Sequence, residues 1–230
     1  MPIARYKDLC LDAVDTLALG RFWAGALGRR LEDRGGGLRV LTGPTPRHTV
    51  WVNPVPEPVT VKQRVHLDVH ARSVGEVLAL GAEPADLDSF PWAVLRDPEG
   101  GELCVFEREQ VPDERLYEVV VDAADPHGVA AWWADVLGVP PHAADDGSWY
   151  LQDVPGLPFE CFVFVPVPEP KTVKNRVHVD VDVDDPASLE ALVARGARVV
   201  RRQDDEIGWT VLADPEGNEF CAFVGDDDGA

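Results

Sequence analysis

Two histidine-bearing segments hold the residues best suited to chemistry. His66, Asp68 and His70 alternate with Val65, Leu67 and Val69, and His178, Asp180 and Asp182 alternate with Val177, Val179 and Val181. A period of two predicts strands whose apolar face packs on helices while the polar face looks into a cavity or into water. A wall of imidazole and carboxylate groups can hold a divalent cation, move a proton or attract a cationic ligand. An ordinary solvated face, or a histidine satisfied by nearby carboxylates, accounts for the same pattern. Spacing limits the metal option. Residues two apart on a strand are separated by about 6.6 Å and those four apart by about 13 Å. A zinc–nitrogen bond is only about 2.0–2.1 Å, so His66 and His70 cannot converge on one ion. Further ligands must come from neighbouring strands.

The elements that position these residues occur twice. Val61 to Val69 returns as Val173 to Val181, and Asp97-Pro98-Glu99-Gly100 returns as Asp214-Pro215-Glu216-Gly217. Phe22-Trp23 ahead of Leu27-Gly28 returns as Trp132-Trp133 ahead of Leu137-Gly138. A repeat of that length exceeds a solenoid period and fits duplication of a small domain, giving expected domains of 1–110 and 111–230. The proline-bearing, charged segment from Arg108 to Arg115 is the expected boundary.

Each half reads as strand, helix and further strands, followed by the same order again. Asp15 and Asp125 are placed to cap helices that Gly28 and Gly138 end. Ser73 with Glu76 forms a capping box, and Asp185-Pro186 opens the last helix. Strands are expected near Leu38–Leu41, Thr49–Val52, Trp149–Leu151 and Glu160–Val165. Proline-dense connectors, Pro54 to Pro58 and Pro166 to Pro170, then lead to the histidine strands. The Asp-Pro-Glu-Gly segments suit structural β-turns.

With 230 residues, 45% of them hydrophobic, each half can bury a core. A net charge of −20 argues against nucleic acid and permits cationic ligands. The run Asp226 to Asp228 belongs to an expected disordered tail. Without an apolar span or signal-like N-terminus, no membrane partner is expected, and the location is expected to be the cytoplasm. Cys10, Cys104, Cys161 and Cys221 lie singly in apolar runs, as buried reduced thiols would.

This ordered set, with βαβββ twice per half, histidine in the fifth strand and Asp-Pro-Glu-Gly before the eighth, resembles the vicinal oxygen chelate superfamily. That superfamily includes glyoxalase I, bleomycin-resistance proteins and ring-cleaving dioxygenases. The resemblance is greatest to its glyoxalase-like members, through the Val-Pro-Glu-Pro and Lys-Asn-Arg-Val-His segments. It implies an α+β fold of two tandem domains, each made of two βαβββ modules forming a cupped mixed sheet. It also implies metal ligands from the first, fourth, fifth and eighth strands: His or Gln, then Glu or His, then His, then Glu.

Carried over position by position, the fifth strands keep His66 and His178, and the first strands offer Asp8 and Glu118. The fourth strands offer only Asn53 and Val165. The eighth strands carry Cys104 and Cys221 where the glutamate would stand. The expected sets are therefore His66 with Asp8 and Cys104, and His178 with Glu118 and Cys221. They would take one divalent ion: zinc, nickel, manganese or iron. Trp51, Trp92, Trp149 and Trp209 fall on strands that would line the cup with Asp68 and Asp180, and could stack on a flat or cationic ligand. Trp23, Trp132 and Trp133 belong to helical core stripes. Arg64 and Arg176 could meet an anionic group, with a local salt bridge as the plainer account.

Two functions follow. One is a pocket protein that binds a small organic molecule without the usual family metal, as bleomycin-resistance proteins do. The other is a metal-dependent lyase, isomerase or epimerase resembling glyoxalase I, with Glu118 or Asp8 moving the proton. The partner is a small molecule. The assembly is a monomer with internally paired halves or a homodimer.

Overall fold

The computed structural model describes residues 2–225; Asp226 to Asp228 lie outside the described residues. Four βαβββ modules follow one another along the chain. The first comprises β1 (Ala4–Ala13), α1 (Thr16–Leu27), β2 (Arg30–Gly35), β3 (Leu38–Thr42) and β4 (Val50–Pro54). The second holds β5 (Val65–Ala71), α2 (Val74–Leu78), β6 (Glu83–Asp86), β7 (Ala93–Arg96) and β8 (Glu102–Glu107). The third is β9 (Leu116–Ala123), α3 (Pro126–Leu137), β10 (His142–Ala143), β11 (Trp149–Gln152) and β12 (Cys161–Pro166). The fourth is β13 (Val177–Val183), α4 (Pro186–Ala194), β14 (Arg198–Arg201), β15 (Thr210–Ala213) and β16 (Glu219–Val224).

The modules form two eight-stranded mixed sheets in an α+β fold. The first sheet runs β14-β15-β16-β13-β1-β4-β3-β2 and the second β10-β11-β12-β9-β5-β8-β7-β6. Each sheet thus takes one module from each half of the chain. The joints are antiparallel: Leu9 faces Val179 between β1 and β13, and Leu67 faces Val119 between β5 and β9.

Alternation explains the layering. Leu9, Leu11, Leu67, Val69, Val119 and Val121 point to the helices and are buried in one continuous core. Phe22, Trp23, Trp132 and Trp133 pack there from α1 and α3, as their helical spacing predicts. Asp15 accepts hydrogen bonds from the backbone N–H groups of Leu17 and Ala18, and Gly28 stops α1 in the left-handed conformation at φ 64°. The Asp-Pro-Glu-Gly turns are structural. Asp97 accepts from the N–H groups of Glu99 and Gly101, while Glu99 accepts from those of Val14 and Asp15. Asp214 and Glu216 repeat this arrangement in the second half. Arg176 pairs with Glu99 at 2.8 Å, so the salt-bridge account of that arginine stands.

Candidate functional site

The polar residues of β5, β8 and β9 meet on the concave face of the second sheet. Asp68 lies in register with Cys104 on one side and Glu118 on the other. His66 Nε2 is 3.4 Å from Asp68 Oδ1. One ligand atom from each of His66, Asp68 and Cys104 lies within 4.8 Å of the other two. Above them opens a cavity of about 960 Å³, whose lining includes Phe90, Trp92, Phe106, Tyr117, Glu118 and Tyr150. Phe90 stacks on Trp92 at 5.3 Å between centroids, Trp92 on Phe106 at 5.2 Å, and Phe106 meets Tyr117 edge-on at 5.0 Å.

Burial sets the protonation of this group. It pushes His66 down to about 4, leaving a neutral imidazole near pH 7. It pushes the Asp68 carboxyl well above its ordinary range, with the Glu118 charge adding to the effect. Burial, then repulsion from Glu160, raises Glu118 to about 7. The Cys104 thiol is pushed up by burial and by Asp68. His70 shares the strand but not the cluster: its ring tilts against Tyr117 at 4.4 Å and its Nε2 is 3.8 Å from Glu160.

The first sheet carries the matching cup with different contents. Asp8 lies in register with Asp180, Cys10 with His178, and Asp180 with Cys221. Lys7 Nζ is 2.8 Å from Asp8 Oδ2 and 4.5 Å from the centroid of Phe223. Trp51 Nε1 donates to the same Asp8 oxygen at 3.2 Å. Cys10 Sγ donates to Asp180 Oδ2 at 3.3 Å, and Cys221 Sγ is 3.6 Å from His178 Nε2. Trp209 lies against Phe223 at 5.4 Å. Burial lowers His178 to about 4 and raises Asp180 well above its usual range, Asp8 adding to the latter. Burial opposes charge on Lys7, but its hydrogen bond to Asp8 and the surrounding carboxylates hold the ammonium above its ordinary value.

The expected ligand sets are therefore recombined. Asp8 does not join His66 and Cys104, nor does Glu118 join His178 and Cys221, because β1 pairs with β13 and β9 with β5. Glu118 stands with His66, and Asp8 with His178. Trp149 is also corrected: it shares a strand face with fully buried Leu151, packs on the core and meets His127 of α3 at 4.3 Å. Tyr150 lines the cup in its place. Trp51 and Trp209 lie in the first cup and Trp92 in the second. Cys10, Lys7, Tyr117 and Phe106 were missed. For Cys10 the signal was present, since alternation along β1 sets it on the face of Asp8 and Asp12.

A metal centre of the superfamily's oxygen-rich type finds poor support in these residues. The donors that converge are one nitrogen, one carboxylate and one thiol in each cup, a set suited to zinc. A metal-bound imidazole ordinarily donates its other N–H to a second group. Here Nδ1 of both His66 and His178 is buried without a hydrogen-bond partner among the described residues.

Paired βαβββ modules closing two cups, with histidine on the central strands, define a member of the vicinal oxygen chelate superfamily. Within it, the sequence profile of the glyoxalase-like domain matches residues 8–106 and again 118–223, and the chain belongs to that family. Glyoxalase I from Zea mays superposes with a TM-score of 0.66 over 96% of this chain and 92% of its own, at 14% identity. A candidate dioxygenase from Bacillus subtilis gives 0.65 over 95% and 84%, at 12% identity. The cppA protein of Streptococcus pneumoniae gives 0.53 over 96% and 100%, at 12% identity. At such identities the likeness is one of fold. No curated protein matches the chain. No helix among the described residues is long and apolar enough to cross a membrane.

Proposed function

We propose that this protein binds a small organic molecule in the cup of the second sheet, without catalysis and without the metal centre usual in its superfamily. The observation that carries this reading is the cavity of about 960 Å³ walled by the Phe90–Trp92–Phe106 stack and edged by Asp68 and Glu118. Size and lining match what a ligand site needs: apolar, aromatic walls and a few placed polar groups. The four free thiols suit a reducing compartment such as the cytoplasm. Titrating a panel of small aromatic compounds against tryptophan fluorescence tests the reading. Saturable quenching is expected, with affinity reduced at least about tenfold in Trp92→Ala, the loss of one good aromatic contact. Binding that ignores this substitution would place the ligand elsewhere.

The convergence of His66, Asp68 and Cys104 favours a second reading, a metal-dependent lyase, isomerase or epimerase. A bound ion would supply Lewis acidity toward vicinal oxygens. Of the two expected proton movers, Glu118 fits that role better, since Asp8 is held by Lys7 and Trp51. Elemental analysis of the untagged protein after incubation with zinc, nickel, manganese and iron(II) separates the readings. About one or two retained ions per chain, lost in His66→Ala or His178→Ala, would favour the enzyme; none retained would favour the binder.

A further inference from the structure

The two cups follow one plan, and the first of them holds its own cation. In both, the strand carrying the acid makes a β-bulge against the histidine strand. Between β1 and β13 the register jumps from Tyr6 to Asp8, leaving Lys7 as the extra residue. Between β9 and β5 it jumps from Leu116 to Glu118, leaving Tyr117. A bulge re-aims the unpaired side chain. In the first cup this delivers the Lys7 ammonium to a seat between the Asp8 carboxylate, at 2.8 Å, and the ring of Phe223, at 4.5 Å. A cation held between a carboxylate and an aromatic face gains from both.

The second cup keeps the acid and the aromatic pair but has no lysine at the bulge; Tyr117 stands there, its ring edge-on to Phe106 at 5.0 Å. Glu118 stands where Asp8 does, Phe106 where Phe223 does, and Trp92 where Trp209 does, each aromatic pair in contact. Tyr117 brings a neutral phenol in place of the ammonium. Glu118, one methylene longer than its counterpart, has no ion-pair partner among the described residues, and Phe90 extends the aromatic wall where the first cup has Ile207. Six carboxylate-bearing residues line the cavity against two basic ones, Lys62 and Arg96, and Lys62 is paired with Asp122. Arg108 lies over the rings of Phe106 and Tyr117 at 5.5 Å and its charge reaches Glu118, but among the described residues it forms no ion pair with Asp68 or Glu118.

We propose that the second cup binds an organic ammonium ion, an amine on a flat aromatic body, with its nitrogen in the seat that Lys7 Nζ fills in the first. This rests on the reading of that cup as the ligand site and names the class of ligand. Tryptamine and its neutral isostere tryptophol are suitable probes, compared by isothermal titration calorimetry on the full chain. Tryptamine is expected to bind at one site per chain, with tryptophol at least about tenfold weaker, the weight of one well-placed charge contact. Glu118→Gln should bring the two compounds to similar affinity. Tyr117→Lys should abolish tryptamine binding by installing the internal ammonium, with circular dichroism confirming that each variant is folded. Equal binding of the isosteres, or a preference for tryptamine that survives Glu118→Gln, overturns the ammonium seat while leaving the cup as a binding site. Failure of millimolar tryptamine to bind also overturns it. The cup reading itself is decided separately by the Trp92→Ala quenching measurement.

Discussion

Glu118 shows how a single side chain acquires a property that its neighbours in sequence do not announce. Partial burial and the charge of Glu160 raise its carboxyl from 4.5 to about 7. In the unfolded chain the group regains its ordinary value, so between pH 4.5 and 7 the folded state holds a proton that the unfolded state has released. Its contribution to stability is therefore fully present below pH 4.5 and lost as pH rises through about 7. Glu118→Gln removes that loss. Urea unfolding at pH 8 should find the variant more stable than the parent by about 1–2 kcal/mol, discounted because the group is only partly buried. The difference should shrink toward zero at pH 4.5. A difference that does not vary with pH would contradict this origin. Strand parity made His66, Asp68, His178 and Asp180 legible as cup residues. It also held the answer for Trp149, which alternates in phase with buried Leu151 rather than with Tyr150.

Helices and central strands were readable because their constraints are local. Asp15 and Asp125 cap α1 and α3 through backbone N–H groups, and glycines end both. Outer strands such as β2 and β14 were implied by the βαβββ order but were not placed on particular residues. Arg30–Gly35 and Arg198–Arg201 are mostly exposed and show no apolar alternation, so only their pairing with β3 and β15 makes them strands. On α3, Trp133 couples the helix to the Asp-Pro-Glu-Gly turn as well as filling the core. Trp133 is 2% exposed, meets Phe162 and Phe220, and donates from Nε1 to Asp214 Oδ2 at 3.2 Å. Trp133→Ala should destabilise the protein by about 3–5 kcal/mol, the range for emptying a large aromatic site. Trp149→Ala, partly exposed, should cost less. Chemical denaturation of the two variants side by side checks both the size and the order.

For the chain as a unit, the exchange of modules between sheets has a direct consequence. Each cup needs β1 against β13 or β5 against β9, so neither half of the chain contains a complete cup. A chain comprising residues 1–110 would expose the unpaired edges of β1 and β5, which favour association. Light scattering after size exclusion should find this half dimeric or aggregated. Mixing it with 111–230 should restore a one-to-one complex. A monodisperse, folded monomer of either half would refute the interdependence.

Local chemistry in the sequence settled the module order, the helix ends, the core-facing positions, and the alternating face of histidine and carboxylate. Those features depend on propensity, capping and a period of two, all written within a few residues. Tertiary structure alone decided which first strand lies beside which histidine strand. The repeat gives β5 and β13 the same local pattern, so nothing written within a few residues tells the first strands which partner to take. That choice placed Glu118 rather than Asp8 opposite Asp68, in the cup of His66. The bulges it created set Lys7 in one cup and Tyr117 in the other, and with them the difference between the two cups.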